Sequence, residues 1–330
     1  MFNVQSLIKK AKKLNKTIVY PEAEISDRVI KAVEYVLRHK IANVILLGDE
    51  ERILSKSKHL KGAVIINPET SELTEEFVAK LVELRSKKGV DEKKARELLK
   101  DNNYFASMLV YSGFADGYLG GAENTTANTL RPALQIIKTK ENVNIVSSCF
   151  MMLGKSGYGE NGVVFVSDCA LNVNPTASDL KDITLSTVKT ATSLCGINPN
   201  VALLSYSSFG SGGDSDPTIL KVRETLNLIK SEDLKLNVDG EMQLDCAIVK
   251  EVAKRKGAGS SVAGKANVLI FPDLNAGNIG YKLMERFGKM DAVGVIMQGF
   301  KKPVNDLSRG CKVKDIVLMT AITCIQASQN

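Results

Sequence analysis

The chain has 330 residues, of which 44% are hydrophobic and 25% charged, and its formal net charge is +7. These values are those of an ordinary globular chain of about two domains. No apolar run approaches the roughly 18 residues that span a bilayer, so a membrane protein is excluded. The positive charge does not predict a nucleic acid partner, because the lysines lie among nearly as many acidic residues and stacking aromatic residues are few. A small polyanionic substrate accounts for it equally well.

The N-terminal stretch 7–14 carries apolar residues at helical spacing among lysines. It predicts a basic surface helix, with a membrane-surface role as the alternative, and it is too charged for a signal-peptide core. The six cysteines show no CxxC pair and no metal-ligand spacing. The sequence therefore predicts a cytoplasmic protein without disulfides, without a metal and without a membrane contact.

The first third of the chain alternates strands and helices. Apolar runs predict strands at 17–20, 44–48 and 63–66, and helical spacing predicts a helix from Ser26 or Asp27 to Leu37. Three more helical stretches follow, at 73–87, 92–99 and 104–111. Because the strands are continuous β-branched runs, they suit a parallel sheet covered on both faces. We therefore predict an α/β fold whose main domain has three layers, α/β/α, with a mostly parallel sheet.

The middle of the chain changes character. Apolar runs at 144–153 and 162–166 flank a glycine-rich segment, 154–161, and this pattern predicts a β-hairpin whose tip is a flexible arm. Further strands and helices follow to residue 292. The sequence predicts a second α/β domain over 143–292, inserted into a first domain of 1–142 and 293–330.

The glycine-rich stretch 210–213 could be an anion-binding nest of backbone N–H groups. Asp214 and Asp216 follow it directly and would repel an anion. The sequence therefore disfavours a phosphate site at this turn.

Several common catalytic systems have no support in this sequence. The two histidines are His39 and His59, and neither lies near a candidate nucleophile, so a Ser-His-Asp or Cys-His relay has no base. No GxGxxG follows the first strand and no GxxxxGK[ST] occurs. Nicotinamide binding and P-loop phosphoryl transfer therefore both lose their main support.

The stretch 303–311 (PVNDLSRGC), with Asp315 after it, is the richest in chemical groups. It lies between an apolar run at 292–297 and another at 316–325, which predicts a strand, a polar loop and a helix. In α/β folds, loops beyond the carboxyl ends of strands are where ligands bind. This loop is therefore the predicted site.

Three arginines lie in polar contexts, namely Arg85, Arg131 and Arg309. A guanidinium group matches a pair of phosphate oxygens, which a lysine does not. The alternative for each is a solvated surface position. Arg131, before Pro132, and Arg309, beside Ser308, favour phosphate binding, whereas for Arg85 the two interpretations are balanced.

The remaining candidates each have a structural alternative. Thr125 and Thr126 could present hydroxyl and backbone N–H groups to an anion, or could simply cap a helix. Ser308 could be a hydrogen-bond donor or a cap, and without a base it is a weak nucleophile. Cys311 could be a reactive thiol or a small buried residue. Asp315 could be a general base, or a helix cap and then a poorer base.

At these positions the chain resembles the phosphate acetyltransferase (phosphotransacetylase) family. The similarity is carried by three long stretches, in order: 121–126 (GAENTT) with 131–135 (RPALQ), 271–282 (FPDLNAGNIGYK) and 303–311. It runs from the first strand to the last helix and matches the short form without an added regulatory region.

The resemblance implies two α/β domains with a cleft between them, a homodimer, and reversible acetyl transfer between phosphate and coenzyme A in acetate metabolism. Coenzyme A is then a substrate, and no cofactor or metal is implied. By position, Asp315 would be the base for the thiol and Ser308 would hydrogen-bond the acyl group. Arg309, Arg131 and Arg85 would hold phosphate. The predicted substrate-binding set is completed by Thr125, Thr126 and Asn305.

Four alternatives stay open at this point. The first is a phosphate butyryltransferase with a larger acyl pocket, and the second is an enzyme acylated on Cys311. The third is a non-catalytic coenzyme A-binding module on the same fold. The fourth, a nucleic acid binder, is the least supported.

Overall fold

The computed structural model describes residues 2–154, 157–232 and 235–329. Its strands are β1 (Thr17–Tyr20), β2 (Asn43–Leu47), β3 (Ala63–Ile66), β4 (Gly117–Gly120), β5 (Ser147–Leu153), β6 (Val163–Ser167), β7 (Asn200–Leu204), β8 (Asn237–Met242), β9 (Val268–Ile270), β10 (Asp291–Gln298) and β11 (Val304–Asp306). Its α-helices are α1 (Gln5–Lys12), α2 (Asp27–Arg38), α3 (Glu50–Lys56), α4 (Thr74–Arg85), α5 (Glu92–Leu98), α6 (Asn102–Tyr111), α7 (Thr126–Ile136), α8 (Ala177–Cys195), α9 (Pro217–Ser231), α10 (Leu244–Ile248), α11 (Lys250–Lys256), α12 (Leu274–Arg286) and α13 (Val313–Ala327). The predicted α/β class is confirmed.

The chain divides into two compact units. The first unit comprises 3–141 and 300–330, and the second comprises 142–299 with the first two residues.

The first unit is built on a five-stranded sheet in the order β11-β4-β1-β2-β3. Every neighbouring pair is parallel, as predicted for continuous apolar strands. Ile18, Val19 and Tyr20 of β1 are fully buried at the centre of this sheet. The last helix, α13, is also buried along most of its length and packs beside α1 and α2.

The helices of the first unit begin where the sequence supplies a capping side chain. Ser26, Asp49, Asp91, Asp101 and Thr125 each accept a backbone N–H in the first turn of the helix that follows. These residue types satisfy N–H groups that the helix itself leaves without a partner. Each cap thus fixes the residue at which its helix begins.

The second unit contains a six-stranded mixed sheet in the order β10-β5-β6-β9-β7-β8. β5 and β6 form the predicted antiparallel hairpin. Its predicted arm, 154–161, includes Lys155 and Ser156, which lie outside the described residues. One face of this sheet is covered by α8, and a core cluster that includes Phe150, Val166 and Leu269 fills the unit.

The strand at 291–298 corrects the predicted boundary at residue 293. β10 pairs antiparallel with β5 over six residue pairs and is therefore part of the second unit. The chain enters the first unit only at Phe300. The sequence could not show this, because an apolar run fits the edge of either sheet.

The glycine-rich turn near residue 210 holds a carboxylate of the chain itself. Glu241 Oε1 accepts from Gly210 N at 2.9 Å and from Ser207 Oγ at 2.8 Å, and Glu241 Oε2 accepts from Arg223 Nε at 2.7 Å. The pKa of Glu241 is lowered to about 2, because these hydrogen bonds outweigh the effect of its burial. This turn is thus a structural anchor, in line with the sequence argument against a phosphate site.

Within the described part of the chain, no helix combines the length and the apolar character needed to cross a bilayer.

Candidate active site

Three loops meet at one edge of the parallel sheet in the first unit. They follow β1, β4 and β11, which are neighbours in the sheet and point the same way, so their carboxyl ends lie side by side. β1 is followed in the chain by β2 on one side, whereas β4 and β11 lie on its other side. A place where the strand order reverses in this way is a topological switch point. It opens a crevice between the loops, and ligands of α/β folds bind there.

Glu22, in the loop after β1, holds the loop after β4. Its carboxylate accepts from the backbone nitrogens of Ala122, Glu123 and Asn124 at 2.7, 3.1 and 2.7 Å. It also accepts from Asn124 Nδ2 at 2.8 Å, and it is buried. A buried carboxylate with this many donors fixes the backbone that leads into α7.

Arg28, in the first turn of α2, joins the loop after β4 to the loop after β11. Its Nη2 donates to the carbonyl of Ala122 at 2.6 Å and to Glu123 Oε1 at 2.8 Å. Its Nη1 donates to the carbonyls of Arg309 and Cys311, both at 2.8 Å. One guanidinium group therefore sets the spacing between the two loops that carry most of the predicted site residues.

The close approach of these loops requires a glycine at position 121. Gly121 has φ +91°, and a Cβ there would lie 2.0 Å from Asp306 Oδ1 and 2.7 Å from Leu307 N. Leu307 N donates to the carbonyl of Gly120 at 2.7 Å, which extends the β4–β11 pairing into the loop. A side chain at residue 121 would force the loops apart.

The loop after β11 presents Ser308 and Arg309 to the surface. Both side chains are exposed, and Ser308 Oγ accepts from Gly310 N at 3.2 Å. The backbone is fixed, since Cys311 N donates to the carbonyl of Ser308 at 2.8 Å and Arg28 holds the carbonyl of Arg309. A rigid backbone with exposed polar side chains is suited to ligand binding.

Asp315 lies in the first turn of α13 and is half-buried. Its Oδ2 accepts from Lys312 N at 2.8 Å, so the capping contact weighed in the sequence analysis is present. Its charge also acts on the Cys311 thiol. The carboxylate is therefore fixed beside the loop that carries Ser308 and Arg309.

The charges of Arg85 and Arg131 both act on the Tyr104 phenol. Burial raises the pKa of Tyr104, the Arg131 charge lowers it, the Asp101 charge raises it and the Arg85 charge lowers it. Arg131 is exposed on α7, and Arg85 ends α4. Arg85 Nε is buried and has no hydrogen-bond partner among the described residues. Two positive charges that act on one phenol could both contribute to binding an anion.

Thr125 and Thr126 lie at the N-terminus of α7. Thr125 is the cap, with Oγ1 accepting from Asn128 N at 3.3 Å, and both side chains are exposed. The Thr126 hydroxyl acts on the carboxyl group of Asp306 and lowers its pKa. Capping explains Thr125, and the helix N-terminus remains suited to an anion.

Asn305, a predicted substrate-binding residue, faces the interior of the unit. Its side chain is fully buried, and Nδ2 donates to Thr323 Oγ1 at 2.8 Å and to Gln326 Oε1 at 2.7 Å. Both acceptors belong to α13. The amide group thus joins β11 to the helix that follows, because alternate residues of a strand face opposite sides of the sheet.

Two further side chains of this loop have shifted pKa values. Burial raises the pKa of Asp306 to about 6, the hydroxyls of Thr126 and Thr129 lower it, and the charge of Glu22 raises it. Burial also raises the pKa of Cys311 to about 11, with Arg28 lowering it and Asp315 raising it. The thiol is therefore protonated at neutral pH and is a poor nucleophile.

A separate cavity of about 500 Å³ lies in the same unit beyond β1, β2 and β3. Pro21 and Asn124 line part of it, and its charged lining is Glu24, Asp49, Arg52, Glu69, Lys100 and Asp101. Four acidic groups against two basic groups do not favour a phosphate, so the arginine residues mark the better anion site.

Sequence reasoning missed Glu22, Arg28 and Asp306 as organising residues of this edge. A signal was present for Glu22, since it follows the first predicted strand directly after Pro21. The sequence gives no signal for Arg28, because the residues that it contacts lie 94 to 283 positions away in the chain. Asp306 lies within the stretch 303–311, but its burial depends on β4, which the sequence does not predict.

Comparison with known proteins identifies the family of this chain. The sequence signature described as Phosphate acetyl/butaryl transferase matches residues 2–324. The chain belongs to this family. A member named phosphate acetyltransferase, from Thermoanaerobacterium thermosaccharolyticum, is 48% identical over 98% of this chain and 99% of its own length.

Solved structures of phosphotransacetylases share the fold. One from Streptococcus pyogenes is 38% identical, covers 100% of both chains and superposes with a TM-score of 0.93. The EutD phosphotransacetylase from Staphylococcus aureus is 41% identical over 98% of both chains, with a TM-score of 0.88. The family predicted from the three sequence stretches is therefore confirmed.

Proposed function

We propose that this chain is a phosphate acetyltransferase, an acyltransferase that moves an acetyl group reversibly between phosphate and coenzyme A. The observation that carries the proposal is the 48% identity, over nearly the full length of both chains, to a protein of that name. Within the Phosphate acetyl/butaryl transferase family, this relative favours acetyl over butyryl as the acyl group.

The proposed reaction is a direct transfer in which both substrates are bound together. Asp315 takes the proton from the coenzyme A thiol, and the sulfur attacks the carbonyl carbon of acetyl phosphate. A thiol with a pKa of about 8.5 is mostly protonated at neutral pH, so a positioned base raises its reactivity. The tetrahedral intermediate then breaks its carbon–oxygen bond to phosphate, which leaves as an anion, and acetyl-coenzyme A is formed.

The arginines supply the positive charge that this reaction needs. Arg309 and the Arg85–Arg131 pair hold the phosphate group, and Ser308 donates a hydrogen bond to the acyl oxygen. Fixed donors of this kind stabilise the oxyanion by typically about 3 kcal/mol each. Support comes from the exposure of Ser308 and Arg309 and from the charges of Arg85 and Arg131, both of which act on the Tyr104 phenol.

The test is thioester absorbance after mixing the protein with acetyl phosphate and coenzyme A, with propionyl and butyryl phosphates compared. Turnover that is fastest with acetyl phosphate supports the proposal. Preference for butyryl phosphate would favour the alternative acyl group, and one methylene changes binding by only about 1–3 kcal/mol. Coenzyme A binding without any thioester would instead indicate a non-catalytic module.

Replacing Cys311 by alanine is expected to leave turnover within about threefold of the wild type. The pKa of this thiol is raised to about 11, so the thiolate needed for a covalent acyl-enzyme is scarce at neutral pH. Turnover of the variant measures this. Radiolabelled acetyl groups that stay on the native protein without coenzyme A, and disappear in the variant, would establish acylation of Cys311 and overturn direct transfer.

The homodimer and the cytoplasmic location stay predictions. In the second unit, α12 and the residue after it expose three apolar side chains at helical spacing, Ile279, Leu283 and Phe287, with 58, 49 and 83% exposure. An apolar stripe of this kind is typical of a subunit contact and supports the homodimer. Light scattering that gives the mass of a single 35.8 kDa chain at assay concentration would contradict it.

A further inference from the structure

We propose that Arg28 is a positioning residue, whose guanidinium group holds the turn that carries Ser308 and Arg309 at the distance from α7 that acetyl transfer requires. This inference rests on the proposed function, and the reaction scheme above gives Arg28 no part. Arg28 lies in the first turn of α2, two positions after the cap Ser26, so its own backbone is fixed. Its side chain reaches from there to the loops after β4 and β11.

The terminal N–H groups of Arg28 are all used by acceptors of the chain itself. A guanidinium group has five N–H donors, and its two terminal nitrogens carry four of them. Nη1 donates to the carbonyls of Arg309 and Cys311, both at 2.8 Å. Nη2 donates to the carbonyl of Ala122 at 2.6 Å and to Glu123 Oε1 at 2.8 Å. No terminal donor remains for a phosphate group, so Arg28 differs in function from an arginine that binds the substrate.

The turn that carries Ser308 has few other contacts. Strand pairing ends with the hydrogen bond from Leu307 N to the carbonyl of Gly120. Beyond it, among the described residues, every hydrogen bond that reaches positions 308–311 from another segment comes from Arg28. The place of this turn relative to α7 therefore depends on one guanidinium group.

The segment at the other end of the Arg28 contacts is rigid. The backbone nitrogen of Ala122 donates to Glu22 Oε2 at 2.7 Å, while the carbonyl of the same residue accepts from Arg28. Glu22 is buried and also accepts from the next two backbone nitrogens. Arg28 therefore ties the turn after β11 to a fixed part of the chain that leads directly into α7.

Loss of this tie is expected to lower kcat and to leave KM nearly unchanged. A displaced turn still lets the exposed Arg309 reach phosphate in the bound substrate, but it misplaces the fixed donors around the developing oxyanion. A shift of about 1 Å can cost about 10²-fold in rate. An arginine that bound a substrate directly would instead raise KM when it is replaced.

The first test compares two arginine-to-lysine variants in the thioester assay. Arg28→Lys keeps the charge but loses the planar set of donors, so kcat is expected to fall about 30-fold, with the KM of both substrates within about threefold of the wild type. Arg223→Lys is the matched control and should keep its turnover. Arg223 makes four hydrogen bonds, to Gly213, Asp214 and Glu241 of the second unit, and its side chain is 27% exposed against 31% for Arg28.

A double variant tests whether Arg28 acts through Arg309. In an Arg309→Ala background, the loss of kcat caused by Arg28→Lys is expected to shrink from about 30-fold to about threefold, because the main misplaced group is already absent. A merely structural effect of Arg28→Lys would give the same 30-fold loss in both backgrounds.

Hydrogen exchange measured by mass spectrometry gives a readout that does not need turnover. Backbone amides of 307–312 should exchange faster in Arg28→Lys than in the wild type, whereas in Arg223→Lys the faster amides should lie at 210–214. Unchanged exchange at 307–312, a raised KM with native kcat, or equal losses in the two backgrounds would each overturn the inference. If the wild type forms no thioester, the proposed function fails, and the exchange at 307–312 still decides whether Arg28 holds this turn.

Discussion

Replacing Asp315 by asparagine is expected to lower turnover by about 10²- to 10⁴-fold, with little change in stability. Proton transfer by a positioned side chain contributes about that much, and an amide cannot accept the thiol proton. The amide oxygen still accepts from Lys312 N, so the capping contact is kept. Thioester absorbance at saturating substrate and thermal unfolding of the same samples measure the two effects separately.

Two companion variants separate the base from the cap. Asp315→Ala removes both, so it should lose the same turnover and also about 1 kcal/mol of stability. Asp91→Ala removes a cap elsewhere, the contact of Asp91 Oδ1 with Lys94 N at 2.7 Å, and should keep its turnover. Near-native turnover in Asp315→Asn would mean that this carboxylate is only a helix cap.

Replacing Arg309 by alanine is expected to lower turnover by about 10²- to 10³-fold, the usual loss when one fixed donor to a developing charge is removed. The fold should be unaffected, because the side chain is exposed and Arg28 binds the backbone carbonyl of residue 309 rather than its side chain. Steady-state kinetics with acetyl phosphate and coenzyme A check this, with circular dichroism on the same samples.

The controls for Arg309 concern charge and shape. Arg309→Lys keeps the charge but loses the planar pair of donors, so an intermediate rate is expected. Arg38→Ala removes one exposed positive charge at the end of α2 and should leave the rate unchanged. If Arg38→Ala and Arg309→Ala slowed the reaction equally, general electrostatic attraction would explain the loss, and a specific contact from Arg309 would not.

Long periodic segments of the chain were predicted well. β1 and β3 have the predicted bounds, and α5 and α6 begin within two residues of their own predicted starts. The local sequence of these elements is enough to predict them. Continuous β-branched runs are typical of a buried parallel strand, and apolar residues at helical spacing after a capping residue are typical of a helix. Local preference and tertiary environment agree there, so the neighbours were not needed to recognise them.

Two of the three strands that border the candidate site, β4 and β11, are not predicted from the sequence. β4 contains two glycines, and β11 is the three-residue run Val304-Asn305-Asp306, so neither resembles an apolar strand. They are strands because they pair with each other and β4 pairs with β1. The apolar run of β10 predicts a strand directly before the Ser308 loop, but β11 occupies that place. Pairing partners decide such cases, and they lie far away in the chain.

The sequence by itself determined the family and the residue types of the site. Three long stretches carried the resemblance, and Ser308, Arg309 and Asp315 lie in one local segment whose spacing along the chain is fixed by covalent geometry. Only the tertiary structure decided which side chains face the site. It turned Asn305 toward α13, placed the charges of Arg85 and Arg131 where both act on the Tyr104 phenol, and buried Asp306 where the charge of Glu22 acts on it. Those outcomes depend on strand pairing and burial between distant segments, which set the direction of a side chain and the cost of its charge.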